Sequence, residues 1–553
     1  MPSLTQVWLL PGAVILIVCL AANWVERVSG LVPEPYLDEF FHVPQAQKYC
    51  KGDYSWDPKI TTPPGLYLIS KLFKPLLGCE TRALRIQNAV ALCAILALSY
   101  LIRRILRFRA SPGKPLHESR DVSKKGSSVE DPTFVDIHTA INICLFSPLF
   151  FFSGLYYTDV MSTLAVLLAY TAHLASSQSP SSFIHGVSVL VSGIFALFFR
   201  QTNIFWVAVF PAGLAVVNAL KADAPSTTSS TRDIAQVLQD SWATGRIVDL
   251  PIQHAELQDV IIFLASLIVA ALRKPLLVLR VAVPYVIILA LFAGFVVWNG
   301  SVVLGDKSAH TATIHVPQML YIWPYFALFS IPLLIEPLLS LFVPLLPKRA
   351  QVTCNEVFSA STYGRPSLLA SGLFMTGAIL AVHFNTIIHP YTLADNRHYV
   401  FYVFKLLRLY PVLRYLAVPV YFVCAWLVVR ALATPTAPSP VNKGASKDKR
   451  QTDTTQNPTG RDPCQVSFVV IWLAATTLSV VTAPLVEPRY FILPWVIWRL
   501  HVPTSSTRKA SFDVRMIVET IWLLTINLAV AYMFLYRTFT WTNEPGKLQR
   551  FIW

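Results

Sequence analysis

Charge is scarce in this chain. Only 14% of its 553 residues are Asp, Glu, Lys or Arg, against about 25% in soluble domains. A soluble chain of this length would split into several domains, each with a charged surface, so that architecture is excluded. Catalytic signatures are missing as well. No P-loop, no GxSxG and no HExxH occurs, which leaves NTP hydrolysis, serine hydrolysis and zinc proteolysis without support. The net charge is +15, yet there is no zinc-finger spacing and no basic helix interleaved with aromatics. Nucleic acid is therefore not an expected partner. The eight cysteines form no CxxC, and several lie inside apolar runs, where they read as small apolar residues. Cys50 and Cys79 share one loop and can pair if that loop faces an oxidising compartment. The N-terminal run 7–22 lacks a basic leader and an obvious cleavage site, so it reads as a retained span rather than a signal peptide. No solenoid or transporter repeat is visible.

What the chain has in abundance is long apolar runs. Hydrophobic residues make up 54% and the mean hydropathy is +0.53. The runs are continuous rather than alternating, which selects helices over a barrel. Spans are expected at 7–24, 86–102, 137–153, 159–176, 183–199, 203–219, 281–298, 318–335, 367–384, 412–430 and 466–482, with a short one after 490 and the last at 516–536. The stretch 259–272 is short and runs into Arg273 and Lys274, which suits an interfacial helix. The fold class is an all-α polytopic membrane protein, with residues 1–553 forming one membrane domain.

Basic residues orient it. Arg103, Arg104, Arg107, Arg109, Lys114, Arg120, Lys124 and Lys125 follow the second span. By the positive-inside rule that side is cytosolic. The N-terminus is then cytosolic too, and the loop 26–82 and the C-terminus are lumenal. The polar stretches 103–133, 220–257 and 431–463 fall on the cytosolic side and read as flexible loops, the last being low-complexity. Every chemically loaded loop falls on the opposite face.

The centre of that face is Tyr36-Leu37-Asp38-Glu39-Phe40-Phe41-His42, directly after the first span. Two adjacent carboxylates and a histidine at a membrane border are costly to desolvate. The bland alternative is a juxtamembrane helix with its charged side in water. Asp38 and His42, four apart on a helix, can share a contact. Trp56-Asp57-Pro58-Lys59 through Tyr67 is a Pro/Gly-dense segment that forbids a regular helix. Further lumenal candidates are Asp159, Arg200, Asp306, Lys307, His310, Arg397, His398, Lys405, Glu487 and Arg489; Asn299-Gly300-Ser301 is a glycosylation acceptor motif. Asp159 is equally readable as a helix N-cap, Arg200 as a helix-end anchor and Arg489–Glu487 as a local ion pair. The spacing of His310 and His315 is poor for a metal, and no metal site is expected. Carboxylates beside cations suit a transfer in which an acid group takes a proton and arginines hold a phosphate leaving group. A transporter is disfavoured because the spans carry few ionisable residues, and a non-catalytic scaffold would not need this acid–base set.

Several of these motifs together resemble one family. Tyr36 to His42, Trp56 to Tyr67, Phe199-Arg200-Gln201-Thr202-Asn203-Ile204, Ala394-Asp395-Asn396-Arg397-His398-Tyr399, Arg489-Tyr490-Phe491-Ile492-Leu493-Pro494 and Gln549-Arg550-Phe551-Ile552-Trp553 are similar to the ER dolichyl-phosphate-glucose-dependent α-1,2-glucosyltransferases. The resemblance implies a GT-C glycosyltransferase fold of 12–14 membrane helices with a lumenal catalytic loop after the first. It implies an ER, multi-pass location and the addition of the third, terminal glucose to the lipid-linked oligosaccharide of N-glycosylation. The donor would be dolichyl phosphate glucose and the acceptor a diglucosylated dolichyl-pyrophosphate-linked oligosaccharide, with no cofactor besides that donor. A mannose-donor GT-C transferase is the nearest alternative. An inverting displacement needs one base, expected at Asp38 with Glu39 second. Arg200, Arg397, His398, Lys405 and Arg489 are expected to hold the donor. His42, Trp56, Asp57, Asp159, Asp306, Lys307 and His310 are expected to shape the site or meet the acceptor.

Overall fold

A computed structural model describes residues 4–109, 132–177, 183–224, 233–307, 313–349, 351, 366–388, 390–433, 463–483, 485–503, 513–541 and 544–553. His310 and most of the expected loops 103–133 and 431–463 lie outside them. Among the described residues the regular elements are helices, apart from one hairpin and two isolated bridges. Nine helices among the described residues are long and apolar enough to cross a membrane, including Trp8–Leu31, Thr81–Phe108, Thr158–Ser176, Gln201–Ala222 and Val514–Tyr536. The protein is an all-α multi-span membrane protein.

The expected spans at 137–153, 183–199 and 466–482, and the short one after 490, come out shorter. The first of these breaks into Pro132–Cys144 and Ser147–Phe152, with Pro148 in the opening turn of the second piece, where its missing N–H costs nothing. The helices Phe183–Leu197 and Val466–Val480 have 15 residues each, and Ile492–His501 has 10. At 1.5 Å per residue the last reaches only about 15 Å. Val466–Val480 and Ile492–His501 pack inside the bundle, whereas Phe183–Leu197 buries one narrow face and leaves Phe183, Ile184 and Val191 exposed. Trp472, Trp495 and Trp498 are fully buried, and Trp495 stacks flat on Phe146 at 3.9 Å. By contrast Leu276, Val297 and Trp298 on Pro275–Asn299, and Leu368 and Phe384 on Leu368–Asn385, are exposed, as lipid-facing side chains must be.

The stretch 220–257 is not a loop throughout. Ile234–Thr244 is a helix capped by Asp233, and Pro251 bridges to Gln465. Its apolar residues, Val237 among them, are spaced to pack back on Leu257–Arg273, a periodicity that the polar composition hid. Nor are the helices poor in ionisable groups. Arg499 and Glu519 form a fully buried pair at 2.6 Å, Arg103 lies 3.4 Å from Asp136, and Arg515 bonds Glu336 at 2.9 Å. Each such charge has a partner on another helix, which is how an ion is tolerated in a low-dielectric interior.

The segment 32–80 forms a cap at one pole. It is built from the helices Glu39–Lys51 and Gly65–Leu77 and stitched by a Cys50–Cys79 disulfide. Two glycines seat it. Gly65 N–H donates to Phe198 O at 2.7 Å, and a Cβ there would sit 2.4 Å from that same oxygen. Gly305 has φ +66°, and its Cβ would meet Pro58 O at 2.3 Å. Only glycine allows both approaches.

Candidate active site

The helix Glu39–Lys51 opens with an unusual turn. Leu37 has φ +51°, the single non-glycine residue with positive φ among those described. Such a backbone costs on the order of 1 kcal/mol and persists where surroundings impose it. Here the Asp38 N–H donates to the Tyr157 hydroxyl at 3.2 Å. The twist sends the two neighbouring carboxylates in opposite directions.

Glu39 turns inward. It is fully buried and takes a two-pronged bond from Arg85, Nε to Oε1 at 2.9 Å and Nη2 to Oε2 at 2.6 Å. It also accepts the backbone N–H groups of Tyr36 at 3.0 Å and Tyr156 at 2.7 Å. Arg85 in turn donates to Val32 O and Glu34 O. Glu39 thus clips the cap onto the helix Thr81–Arg109.

Asp38 turns outward. It holds the N-cap position without capping the helix, and its side chain is 39% exposed. Its Oδ2 accepts from Arg489 Nη1 at 2.6 Å, 451 residues away. Arg489 binds Glu487 through Nε at 2.7 Å and Nη2 at 2.6 Å, and lies over the Tyr157 ring. Its Nη1 is 3.9 Å from Asp159. Asp159 pairs at 3.0 Å with Arg200, whose Nε donates to Thr158 Oγ1 and whose guanidinium faces Tyr490. Asp159 is not an N-cap; it sits inside the first turn of Thr158–Ser176, whose N-cap is Tyr157. Asp38, Arg489, Asp159, Arg200 and Glu487 therefore form one alternating chain of charge drawn from four segments. Arg200 precedes a 3-10 turn (Gln201–Asn203) and a π turn (Phe205–Val209), the kind of irregularity that frequently marks functional helix starts.

The charges set one another. Burial works to raise the Asp38 carboxyl, but the Arg489 guanidinium, with help from His42 and His398, outweighs it and holds the group at about 2. Burial depresses the His42 imidazole to about 4 against the pull of Asp38, with Arg489 assisting. His42 is therefore neutral near pH 7, and its Nδ1 bonds the Tyr67 hydroxyl at 2.6 Å rather than Asp38.

A second arm lies beside this chain. Arg397 forks onto Asp395, Nε to Oδ1 at 2.8 Å and Nη2 to Oδ2 at 2.7 Å. It also donates to Gln549 at 3.0 Å and covers the Trp541 ring. His398 Nδ1 meets Trp553 O at 3.0 Å. Ile552 pairs its backbone with Arg397 and Tyr399. The tail 549–553 is held from below by the buried Arg550, which donates to Phe534 O, Leu535 O and Leu31 O.

Other expected residues stand apart. Lys405 is exposed on Tyr399–Leu409 and lies over the Phe401 ring. Trp56 Nε1 donates to Ile60 O, and Asp57 caps a turn at Lys59 N–H. Asp306 N–H donates to Pro58 O, pinning the 299–307 segment to the cap, and Lys307 bonds Asn299 O. The Asn299 amide nitrogen, the atom that glycosylation would modify, donates to Ser301 O and Val303 O, both at 2.8 Å. Arg85 and Trp541 were missed from sequence; Asp395 and Gln549 stood only inside their motifs, with no role given. Arg85 looked like the edge of a span. Trp541 lies in a hairpin, Phe539–Trp541 with Glu544–Gln549, too short to register as strands.

An all-helical membrane scaffold that gathers carboxylates and arginines at one pole, with relatives that are glucosyltransferases, defines a multi-span membrane glycosyltransferase. The chain belongs to the DIE2/ALG10 family, whose model matches residues 32–500. It is 41% identical to the "Dol-P-Glc:Glc(2)Man(9)GlcNAc(2)-PP-Dol alpha-1,2-glucosyltransferase" of Emericella nidulans over 96% of both chains. The proteins of that name from Arabidopsis thaliana and Homo sapiens are each 30% identical, over 100% and 95% of this chain and 99% and 94% of theirs. No solved structure matches the chain.

Proposed function

We propose that this chain transfers glucose from dolichyl phosphate glucose to the 2-hydroxyl of the terminal glucose on a diglucosylated, dolichyl-pyrophosphate-linked oligosaccharide. It does so by single displacement on a GT-C scaffold, at a site facing the ER lumen, with the N-terminus cytosolic. Asp38 is the base. The observation that carries this is the divergence of the two carboxylates: Glu39 is saturated by Arg85 and two backbone N–H groups, whereas Asp38 is partly exposed and bonded by one arginine.

Arg489 and Arg200 supply the positive charge for the donor phosphate. The negative charge on that phosphate grows as the glycosidic bond breaks and leaves its electron pair on the phosphate oxygen, and fixed guanidinium groups stabilise it without reorganisation. Arg489 also explains how so weak a base works. A phosphate arriving beside Arg489 offsets its field at Asp38, so the carboxylate gains proton affinity as the acceptor hydroxyl loses its proton. Tyr157 and Tyr490 hold the two guanidinium planes.

Expression in microsomes that lack the endogenous activity tests the assignment. The triglucosylated lipid-linked oligosaccharide should reappear; a product left diglucosylated by folded, ER-resident protein would refute it. The pH dependence is a second check. Asp38, its folded pKa below the ordinary 3.8, stays ionised at all working pH values. His42, at about 4, stays neutral. Neither Asp38 nor His42 should therefore put an inflection into the kcat/KM profile between roughly pH 5 and 7.5. A one-proton acid limb in that window that persists in His398→Gln would contradict the assignment. The stability that Asp38 contributes is complete above the ordinary carboxyl value and is lost only as pH falls through about 2.

A further inference from the structure

Next to the charge chain is a cavity of ≈ 350 Å³ between the segments 392–401 and 485–488 and the hairpin. That volume is within the range of small-molecule sites. Its polar walls include Asp395, Arg397, His398 and Glu487, and Trp541 and Phe401 supply aromatic faces. The wall charges are already matched. Arg397 is forked by Asp395, and Glu487 is held by Arg489. A phosphate would gain no unopposed cation here and would face two carboxylates. A neutral, many-hydroxyl ligand suits the same walls, because fixed charged groups make strong hydrogen bonds to hydroxyls. The flat apolar faces fit the CH face of a sugar ring. The hairpin register slips between Thr540 and Trp541, and bulges of this kind re-aim a side chain. Trp541 is fixed in turn by Arg397 over its ring, 5.1 Å from the centroid.

We infer that this cavity is a hexose-binding subsite, with Trp541 as its stacking platform. Through Glu487 and Arg489 it is one arginine away from Asp38, so a sugar held here lies beside the base. Arg397 and His398, expected from sequence to hold the donor, are then walls of the sugar pocket rather than phosphate ligands. The hexose is the acceptor's terminal unit or the donor's glucose, and kinetics separate the two.

The inference rests on the glucosyltransferase reading. The test is steady-state kinetics of the full-length enzyme in microsomes, varying lipid-linked acceptor and dolichyl phosphate glucose in turn. Trp541→Leu keeps apolar volume under the hairpin but removes the ring; Trp541→Phe restores a ring. Leu485→Trp fills the cavity from a different wall and leaves the hairpin alone. Trp541→Leu and Leu485→Trp should each raise one KM about tenfold with kcat within about twofold, and Trp541→Phe should recover most of the loss. A rise confined to the acceptor KM makes this the acceptor subsite, and one confined to the donor KM makes it the donor sugar subsite. Wild-type KM values in both Trp541→Leu and Leu485→Trp, or a loss confined to kcat or protein level that Trp541→Phe does not reverse, would overturn the subsite. Wild-type protein that forms no triglucosylated product fails the underlying reading instead.

Discussion

Asparagine in place of Asp38 should leave a folded enzyme that barely turns over. The amide cannot take the proton of the acceptor hydroxyl, and losing a general base typically costs about 10²–10⁴-fold in rate. Stability changes little, for two reasons visible in the structure. Asp38 is 39% exposed, and a partly solvated ion pair contributes about 0–1 kcal/mol. Arg489 also keeps its two bonds to Glu487, so no cation is stranded. The expected record is therefore wild-type protein level, wild-type thermal stability and an oligosaccharide that stays diglucosylated. The measurement is the glucose number of the lipid-linked pool, normalised to enzyme present. An Asp38→Asn enzyme within a few-fold of the wild type would take the base away from this residue.

Glutamine in place of Glu39, one position along, fails in a different manner. Glu39 and Arg85 are both fully buried. Removing one partner of such a pair leaves an uncompensated charge in a low-dielectric interior, at a cost of about 3–5 kcal/mol. Total stabilities are about 5–15 kcal/mol, so this is enough to deplete folded protein. The loss should appear as reduced accumulation and faster thermal inactivation, with near-normal turnover per surviving molecule. Arg85→Met strands the carboxylate instead and should behave alike, which ties the effect to the pair. A Glu39→Gln protein that accumulates normally and is inactive would place Glu39 in the chemistry and its neighbour outside it. The two substitutions are adjacent, equally conservative and opposite in readout because one φ value at Leu37 separates their environments.

That separation shows where sequence reasoning stops. Tyr36 to His42 reads as a loaded stretch from its composition and position alone, because carboxylates at a membrane border need a reason. Nothing in the order Asp38, Glu39 says which one faces solvent. Asp159 and Arg489 each had a bland reading, helix cap or local ion pair, and both were chemically reasonable. Arg489 does form its local pair with Glu487, and it also reaches Asp38 across 451 positions. Arg85 was invisible because a basic residue at the edge of an apolar run normally marks the water boundary; here it is desolvated and paired. The hairpin was missed because strands of 3 and 6 residues carry no periodicity worth reading.

The sequence by itself determined the membrane setting, the all-helical class and the pole at which chemistry gathers. Each of these follows from local, additive quantities: transfer free energies summed over a span, and basic residues counted beside it. Only the tertiary structure decided which carboxylate stays partly exposed, which arginine neutralises which acid, and how the tail 549–553 docks on the segment 397–399. Those outcomes depend on desolvation and on Coulomb interactions that fall off over a few ångströms. Partners separated by hundreds of residues acquire such distances only when the chain has folded.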